Sequence, residues 1–246
     1  MKTFKSAMLL TAGEGTRLRP LTNRLAKPAI PFLGVPIAAY SAPILQALGI
    51  DRVVLNTYHL SAQIKTLQAI LRRWFSDVEF SDETTLLGGG GGLKHAESHF
   101  ADDEFFLHVN GDEVLLNLDM AALRAGLDQH LKENRLATIF VMDHPEVGTK
   151  FGGVWADPTH RVHGFGKVPP ASHHKGWHYF GVCAFHRDIF KIIESEKSSN
   201  IFYDVLTHNL GDAKKIQVHP LTCTHIETGN PVDLLAGIEF CISNFN

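Results

Sequence analysis

Three cysteines in 246 residues, Cys183, Cys223 and Cys241, are too few and too irregularly spaced for a disulfide framework or a CxxC pair. That scarcity fits a reducing cytoplasm. No run reaches the roughly 18 consecutive apolar residues of a membrane helix, and Met1 to Ala12, two lysines before a short apolar stretch, reads as a core strand rather than a signal peptide. No membrane partner is expected. Charge of one sign is also lacking: 23 Lys and Arg against 26 Asp and Glu give a net charge of −3, which leaves no global field for nucleic acid. The dinucleotide fingerprint GxGxxG fails at Leu18, and GxxxxGK[ST], HExxH and HxE paired with CxxC are all absent. Dehydrogenase, P-loop and zinc-hydrolase readings fall away. The fifteen histidines, His173, His174 and His178 or His225 with Glu227 above all, invite a metal reading, but zinc is not expected, and the histidines among prolines and lysines at 167 to 178 read as a solvated loop.

What is present is enough apolar residue, 44%, for a sizeable core in one α/β domain. Apolar periodicity predicts strands at Ala7 to Leu10, Asp51 to Asn56, Val78 to Phe80, Phe105 to Val109 and Leu136 to Met142. Helices are predicted at Pro36 to Leu48, from a Ser61 cap to Arg72, at Gly92 to His99 and at Met120 to Lys132. This alternation predicts a largely parallel, Rossmann-like sheet over residues 1–142. Beyond Gly153 come short strands, Val154 to Ala156, Val162 to Phe165 and His178 to His186, that read as an antiparallel subregion over an acceptor site. Helices near Asp188 to Ser195 and Phe202 to Asn209, a strand at Ile216 to His219 and a helix from Pro231 to about Cys241 complete the chain. Cys183, in the apolar run Tyr179 to Phe185, reads as a small core residue.

Four constellations carry chemistry. After the first strand, Ala12, Gly13 and Gly15 let backbone N–H groups approach an anion, and Arg17, Arg19, Arg24 and Lys27 follow within eleven positions, as a triphosphate cradle requires. The strand Phe105 to Val109 ends in Asn110-Gly111-Asp112, placing a carboxylate where an open α/β sheet binds ligand, and a hard oxygen there suits Mg²⁺. Glu83 and five glycines, Gly88 to Gly92, stand between a strand and a helix, where bare backbone can meet the edge of a flat base. Glu227 precedes a glycine turn and a proline-led helix, as a second metal ligand or a helix-end carboxylate. Asp102, Asp103 and Glu113 are read as solvated loop positions.

The run GxGTRLRPLT at Gly13 to Thr22, followed by Lys27-Pro28-Ala29-Ile30-Pro31, resembles the sugar-1-phosphate nucleotidyltransferases, the nucleoside-diphosphate-sugar pyrophosphorylases of the nucleotidyltransferase A-like fold. The resemblance implies that Ala12, Gly13, Glu14, Gly15, Glu83 and Gly90 bind the nucleotide. It implies phosphate neutralisation by Arg17 and Lys27, and Mg²⁺ on Asp112 and on Glu227, where the family usually has aspartate. Asn110, Gly152 of Phe151-Gly152-Gly153-Val154, and Lys167 of Gly166-Lys167-Val168-Pro169 match acceptor-binding elements, with residues 143–246 as the sugar-phosphate half. Lys167 stands in a segment that has lost the glutamate of EKP, and Tyr179-Phe180-Gly181 lacks the usual asparagine. The implied substrates are a nucleoside triphosphate and a sugar 1-phosphate. The short chain, its GGGGL segment and the YFG element are most similar to small bacterial uridylyltransferases for N-acetylmuramate 1-phosphate. Guanylyltransferases for mannose or heptose 1-phosphate, cytidylyltransferases for phosphocholine, and a non-catalytic sugar-nucleotide-binding regulator share the first motif, and the sequence assigns no oligomeric state.

Overall fold

The computed structural model describes residues 2–211 and 216–245. In chain order the elements are β1 (Ser6–Leu10), a short hairpin of β2 (Pro31–Phe32) and β3 (Val35–Pro36), α1 (Ala42–Ala47), β4 (Arg52–Thr57), α2 (Ser61–Thr66), α3 (Gln68–Leu71) and β5 (Asp77–Asp82). Then follow α4 (Gly88–His95), β6 (Phe105–Asn110), β7 (Val114–Leu116), α5 (Met120–Glu133), β8 (Ala137–Met142), β9 (Gly153–Ala156) and β10 (Val162–Gly166). The chain closes with β11 (Lys175–His186), β12 (Ile216–Pro220), β13 (Thr224–Ile226) and α6 (Pro231–Asn244). No helix among the described residues is long and apolar enough to cross a membrane.

The fold is α/β around a mostly parallel central sheet, in the strand order β10-β9-β11-β6-β1-β4-β5, with β8 on β11 and β12 on β8. Strands β6, β1, β4 and β5 run parallel. Their residues alternate between two cores: Ala7, Leu9, Val53, Leu55, Leu107 and Val109 pack with Leu45, Ile64, Leu71, Leu123 and Leu127 on one face. Met8, Val54 and Phe106 pack with Leu93, Phe190 and Ile201 on the other. Burial on both faces is what a parallel strand demands, and it accounts for the unbroken apolar run of β1. A third cluster, including Leu18, Phe32, Val114, Ile226 and Leu234, seats the loop after β1 against β7, β13 and α6.

Strand β11 departs from the simple βαβ series. It enters antiparallel between β6 and β8, so the fifth expected strand joins the sheet only through a later one. Its first residues pair with β9, which pairs with β10, and these make the antiparallel subregion. Several local expectations are corrected. The helix expected over residues 36–48 is a 3-10 turn leading into the six-residue α1. Leu60, at φ 51°, fills the cap position of α2, so Ser61 caps nothing, and the helix expected from it is divided at Leu67. Residues 187–191 and 201–209 form short 3-10 and π turns rather than α-helices. Asp103 is buried, not solvated, and accepts from Ser6 Oγ at 2.8 Å while pairing with Arg52.

The largest correction concerns the glycines. Gly88 to Gly92 are not an open loop but the first residues of α4. A Cβ on Gly91 would lie 2.3 Å from the Lys197 carbonyl oxygen, one on Gly90 2.6 Å from Ser199 Oγ, and one on Gly92 2.6 Å from Glu83 Oε1. The missing side chains let the helix lie directly on segment 197–201. Gly89 differs, since its nearest neighbour would be Leu10 Cδ1 at 3.6 Å. We expect Gly91→Ala to destabilise the fold by about 1–3 kcal/mol through overpacking and Gly89→Ala to be neutral or stabilising by up to about 1 kcal/mol through helix propensity, read as urea unfolding midpoints.

Two histidines sit inside this core. His108 on β6 is 1% exposed, with neither ring nitrogen meeting a partner in hydrogen-bonding geometry and the Gly89 backbone beside it, and burial lowers its pKa to about 4. His130 on α5 is fully buried against Thr138 Oγ1 at 2.9 Å, and burial followed by the Arg135 charge lowers it to about 3. A folded pKa below the unfolded value of about 6.5 means that only the unfolded chain takes the proton in between. Stability is therefore lost as pH falls from about 6.5 towards 4, by about 3 kcal/mol for His108. A His108→Leu variant should show a flatter acid limb in stability against pH than the parent chain.

Candidate active site

The cleft of ≈ 420 Å³ at the carboxyl ends of the parallel strands is lined by Leu10 of β1, Asn56 of β4 and Asn110 of β6, together with the loop after β1, Gly88, Gly89, Asp112 and Gly229. Its floor is a buried chain of hydrogen bonds. Asn56 Oδ1 accepts from the Thr11 backbone N–H at 2.7 Å, and the Thr11 hydroxyl donates to the Asn56 carbonyl at 2.5 Å. Asn56 Nδ2 in turn donates to Glu83 Oε1 at 2.7 Å, and the Leu87 N–H donates to Glu83 Oε2 at 3.0 Å. One carboxylate thereby fixes the levels of β1, β4 and the entry to α4.

The loop after β1 folds over this floor. Gly15 has φ +61°, and a Cβ there would press on Thr22 Cγ2 at 3.0 Å and Lys27 Cβ at 3.1 Å, so both conformation and space call for glycine. Thr22 Oγ1 closes the loop on the Gly15 carbonyl at 2.8 Å. The loop delivers Lys27, 8% exposed, onto Asp112, with Nζ 2.6 Å from Oδ2. Burial raises the Asp112 carboxyl above its ordinary value, and the Lys27 ammonium opposes that shift. The Gly111 N–H bonds the Leu10 carbonyl at 3.0 Å, and a Cβ on Gly111 would meet Leu10 O at 2.8 Å, so this glycine serves the close approach of β1 and β6. Thr228 Oγ1 donates to the Asp112 carbonyl at 2.7 Å, and Gly229 lies against the exposed Arg17 guanidinium. Cationic side chains, bare backbone and a carboxylate thus converge on one cleft, an arrangement suited to a polyanion accompanied by a hard cation.

The sequence pattern of the nucleotidyl transferase family matches residues 6–242. The chain belongs to the nucleotidyl transferase family. It is 31% identical to a UTP–glucose-1-phosphate uridylyltransferase of Synechocystis sp. over 175 residues, which is 66% of this chain and 44% of that protein. It is 28% identical to a mannose-1-phosphate guanylyltransferase of Mycobacterium tuberculosis over 94% of this chain and 63% of the relative. This chain thus spans less than half the length of the Synechocystis relative. In fold it is similar to a UDP-glucose pyrophosphorylase from Acinetobacter baumannii, at TM-score 0.81 and 18% identity over 99% of this chain and 95% of that one. HddC from Yersinia pseudotuberculosis, solved with GMP-PN, gives 0.76 and 20% over 96% and 99%.

In this chain Ala12, Gly13, Gly15, Arg17, Lys27, Asn110 and Asp112 all line the cleft. Glu14 is instead tied to Arg19 at 2.9 Å. Glu83 and Gly90 lie behind the wall: Glu83 is the buried anchor of Asn56 and Leu87, Gly90 packs on Ser199, and Gly88 and Gly89 face the cleft in their place. Gly152 and Lys167 are both exposed and flank the Gly153–Gly166 pair at the end of the β9–β10 ladder, and neither is among the residues that line the cleft. Glu227 does not cap α6, which Asn230 caps by accepting from Val232 and Asp233 N–H; its Oε1 is 3.9 Å from His225 Nδ1. Glu113, read as solvated, is drawn in by His225 Nε2 at 2.6 Å and Asn110 Nδ2 at 3.0 Å, and those partners, with burial opposing, lower its pKa. Asn56 was missed, since an asparagine at a strand end carries no local signal. Glu83→Gln should cost about 1–3 kcal/mol, because the amide NH₂ opposes one of two buried donors, and should weaken nucleotide binding by calorimetry.

Proposed function

We propose that this chain transfers a nucleoside monophosphate from a nucleoside triphosphate to a sugar 1-phosphate, releasing pyrophosphate. The observation that carries the reading is the Lys27–Asp112 pair, 2.6 Å apart, beside the bare backbone of residues 12 to 15 in one cleft. An acceptor phosphate oxygen attacks the α-phosphorus in line, its bond forming as the bond to the departing pyrophosphate breaks. That nucleophile is already an anion, so positioning and charge neutralisation carry the reaction and no general base is assigned. Arg17 and Lys27 neutralise the triphosphate and the leaving group. Backbone N–H groups of Ala12, Gly13 and Gly15 receive phosphate oxygens.

The donor set fits Mg²⁺: a carboxylate oxygen of Asp112 opposite an ammonium position, with Glu227 as second ligand on a segment that Thr228 stitches to Asp112. Bound Mg²⁺ would supply Lewis-acid neutralisation of the phosphoryl oxygens. Lys167 would hold the acceptor phosphate and Gly152 would lie against the sugar, with Asn110 between the two substrates. Within a single domain, residues 1–142 would serve the nucleotide and 143–246 the sugar phosphate. UTP with N-acetylmuramate 1-phosphate is the leading pair. The M. tuberculosis relative, named for mannose-1-phosphate guanylyl transfer, supports GTP with mannose 1-phosphate as the second.

The test is pyrophosphate release with Mg²⁺, pairing UTP, GTP, CTP, dTTP and ATP with a panel of sugar 1-phosphates and phosphocholine. One productive pair names both substrates. We expect Asp112→Asn to lower kcat by at least about 100-fold; turnover near the parent level in that variant would overturn the assignment. Nucleotide binding without release across the panel would favour a non-catalytic binding protein.

A further inference from the structure

Among the described residues, one group of three metal-capable side chains stands apart from the cleft lining: His178 of β11, His225 of β13 and Glu227 just beyond it, with ligand atoms all within 4.8 Å of one another. The sequence reading placed His178 in a solvated loop and expected no zinc at either histidine. His178 is instead 6% exposed and its Nε2 has no hydrogen-bond partner. Its ring lies 5.4 Å from that of His225, and 4.8 Å and 5.1 Å from the rings of Phe151 and His144. Leaving a buried ring nitrogen unpaired costs about 1–3 kcal/mol. Aromatic packing alone would have been served better by phenylalanine.

His225 is set for ligation. Its Nε2 is engaged by Glu113 Oε2 at 2.6 Å, and Glu113 is held from its other oxygen by Asn110 Nδ2 at 3.0 Å. This fixes the Nδ1 edge of the ring towards Glu227 Oε1, 3.9 Å away. A histidine whose second nitrogen is held by a carboxylate is the usual outer-shell arrangement of a metal-bound imidazole. Ligand atoms on a tetrahedral ion with bonds of about 2.1 Å lie about 3.4 Å apart, so the group needs only small closure to hold one. Two imidazoles and one carboxylate favour a borderline-soft ion over Mg²⁺, which prefers oxygen donors throughout.

We propose that His178, His225 and Glu227 form a binding site for a divalent transition ion of the Zn²⁺ type, with Glu113 as the residue that orients His225. The site shares Glu227 with the hard-cation position proposed at Asp112, and the two imidazoles of His178 and His225 are what set it apart from that all-oxygen position. Three protein ligands leave a fourth position for an oxygen of water or of a bound acceptor. Through Glu113 and Asn110 the ion is linked to the lining of the nucleotide cleft. The inference rests on the ligand cluster alone and stands whether or not the chain transfers nucleotides.

The experiment is titration of untagged, metal-free protein with Co²⁺ in a large excess of Mg²⁺, which occupies oxygen-only sites, followed by visible d–d absorption and displacement by Zn²⁺. The parent chain should give one saturable, Zn²⁺-displaceable spectrum. In His178→Gln the spectrum should be lost, and in Glu113→Gln the affinity should fall by about 10–100-fold. Thermal unfolding checks that each variant is folded, and Glu227→Gln replaces His178→Gln should the latter not fold. Absence of a saturable spectrum in the parent chain, or the same affinity in a folded His178→Gln or Glu227→Gln variant, would overturn the site.

Discussion

A single buried carboxylate sets the level at which three parallel strands end. Glu83 accepts from the Asn56 side chain and the Leu87 backbone, and Asn56 accepts from the Thr11 backbone in turn. Each of these groups is almost wholly out of water, where an unmade hydrogen bond carries its full desolvation cost. The loop from Ala12 to Lys27 therefore leaves β1 from a fixed point, and α4 starts from another. The cleft between them is a product of that constraint.

Charge is placed on this frame by segments remote in sequence. Lys27 reaches Asp112 across 85 positions, and His225 reaches Glu113 across 112. In both pairs the partner comes from the turn after β6, so Asn110 to Glu113 present one carboxylate to the cleft and one to the histidines. Preorganised charge of this kind acts more strongly in a partly desolvated cleft than in water, because little reorganisation is left to be done.

The glycine run shows where local reading stops. Five consecutive glycines are poor helix formers, each costing about 1 kcal/mol against alanine, and propensity alone assigns them to a loop. In the fold they open a helix in which Gly88, Gly90 and Gly91 lie too close to segment 197–201, and Gly92 too close to Glu83, to carry a side chain, and segment 197–201 lies more than a hundred residues later. The same limit applies to Glu83, which resembled a base contact in sequence and is a buried anchor in the fold. It applies to His178 too, whose neighbours among prolines and lysines pointed to solvent while β11 carries it into the interior.

The sequence by itself determined the α/β class, the core strands at β1, β4, β6 and β8, and the residues of the first loop that reach the cleft. These are legible because they rest on local signals: apolar runs, glycine next to a strand end, and cations at short spacing. Only the tertiary structure decided that β11 enters between β6 and β8, that Gly88 and Gly89 rather than Gly90 face the cleft, and that His178 and His225 meet Glu227. Those outcomes depend on contacts between segments with no shared period, and the chain discloses them only when burial brings the segments together.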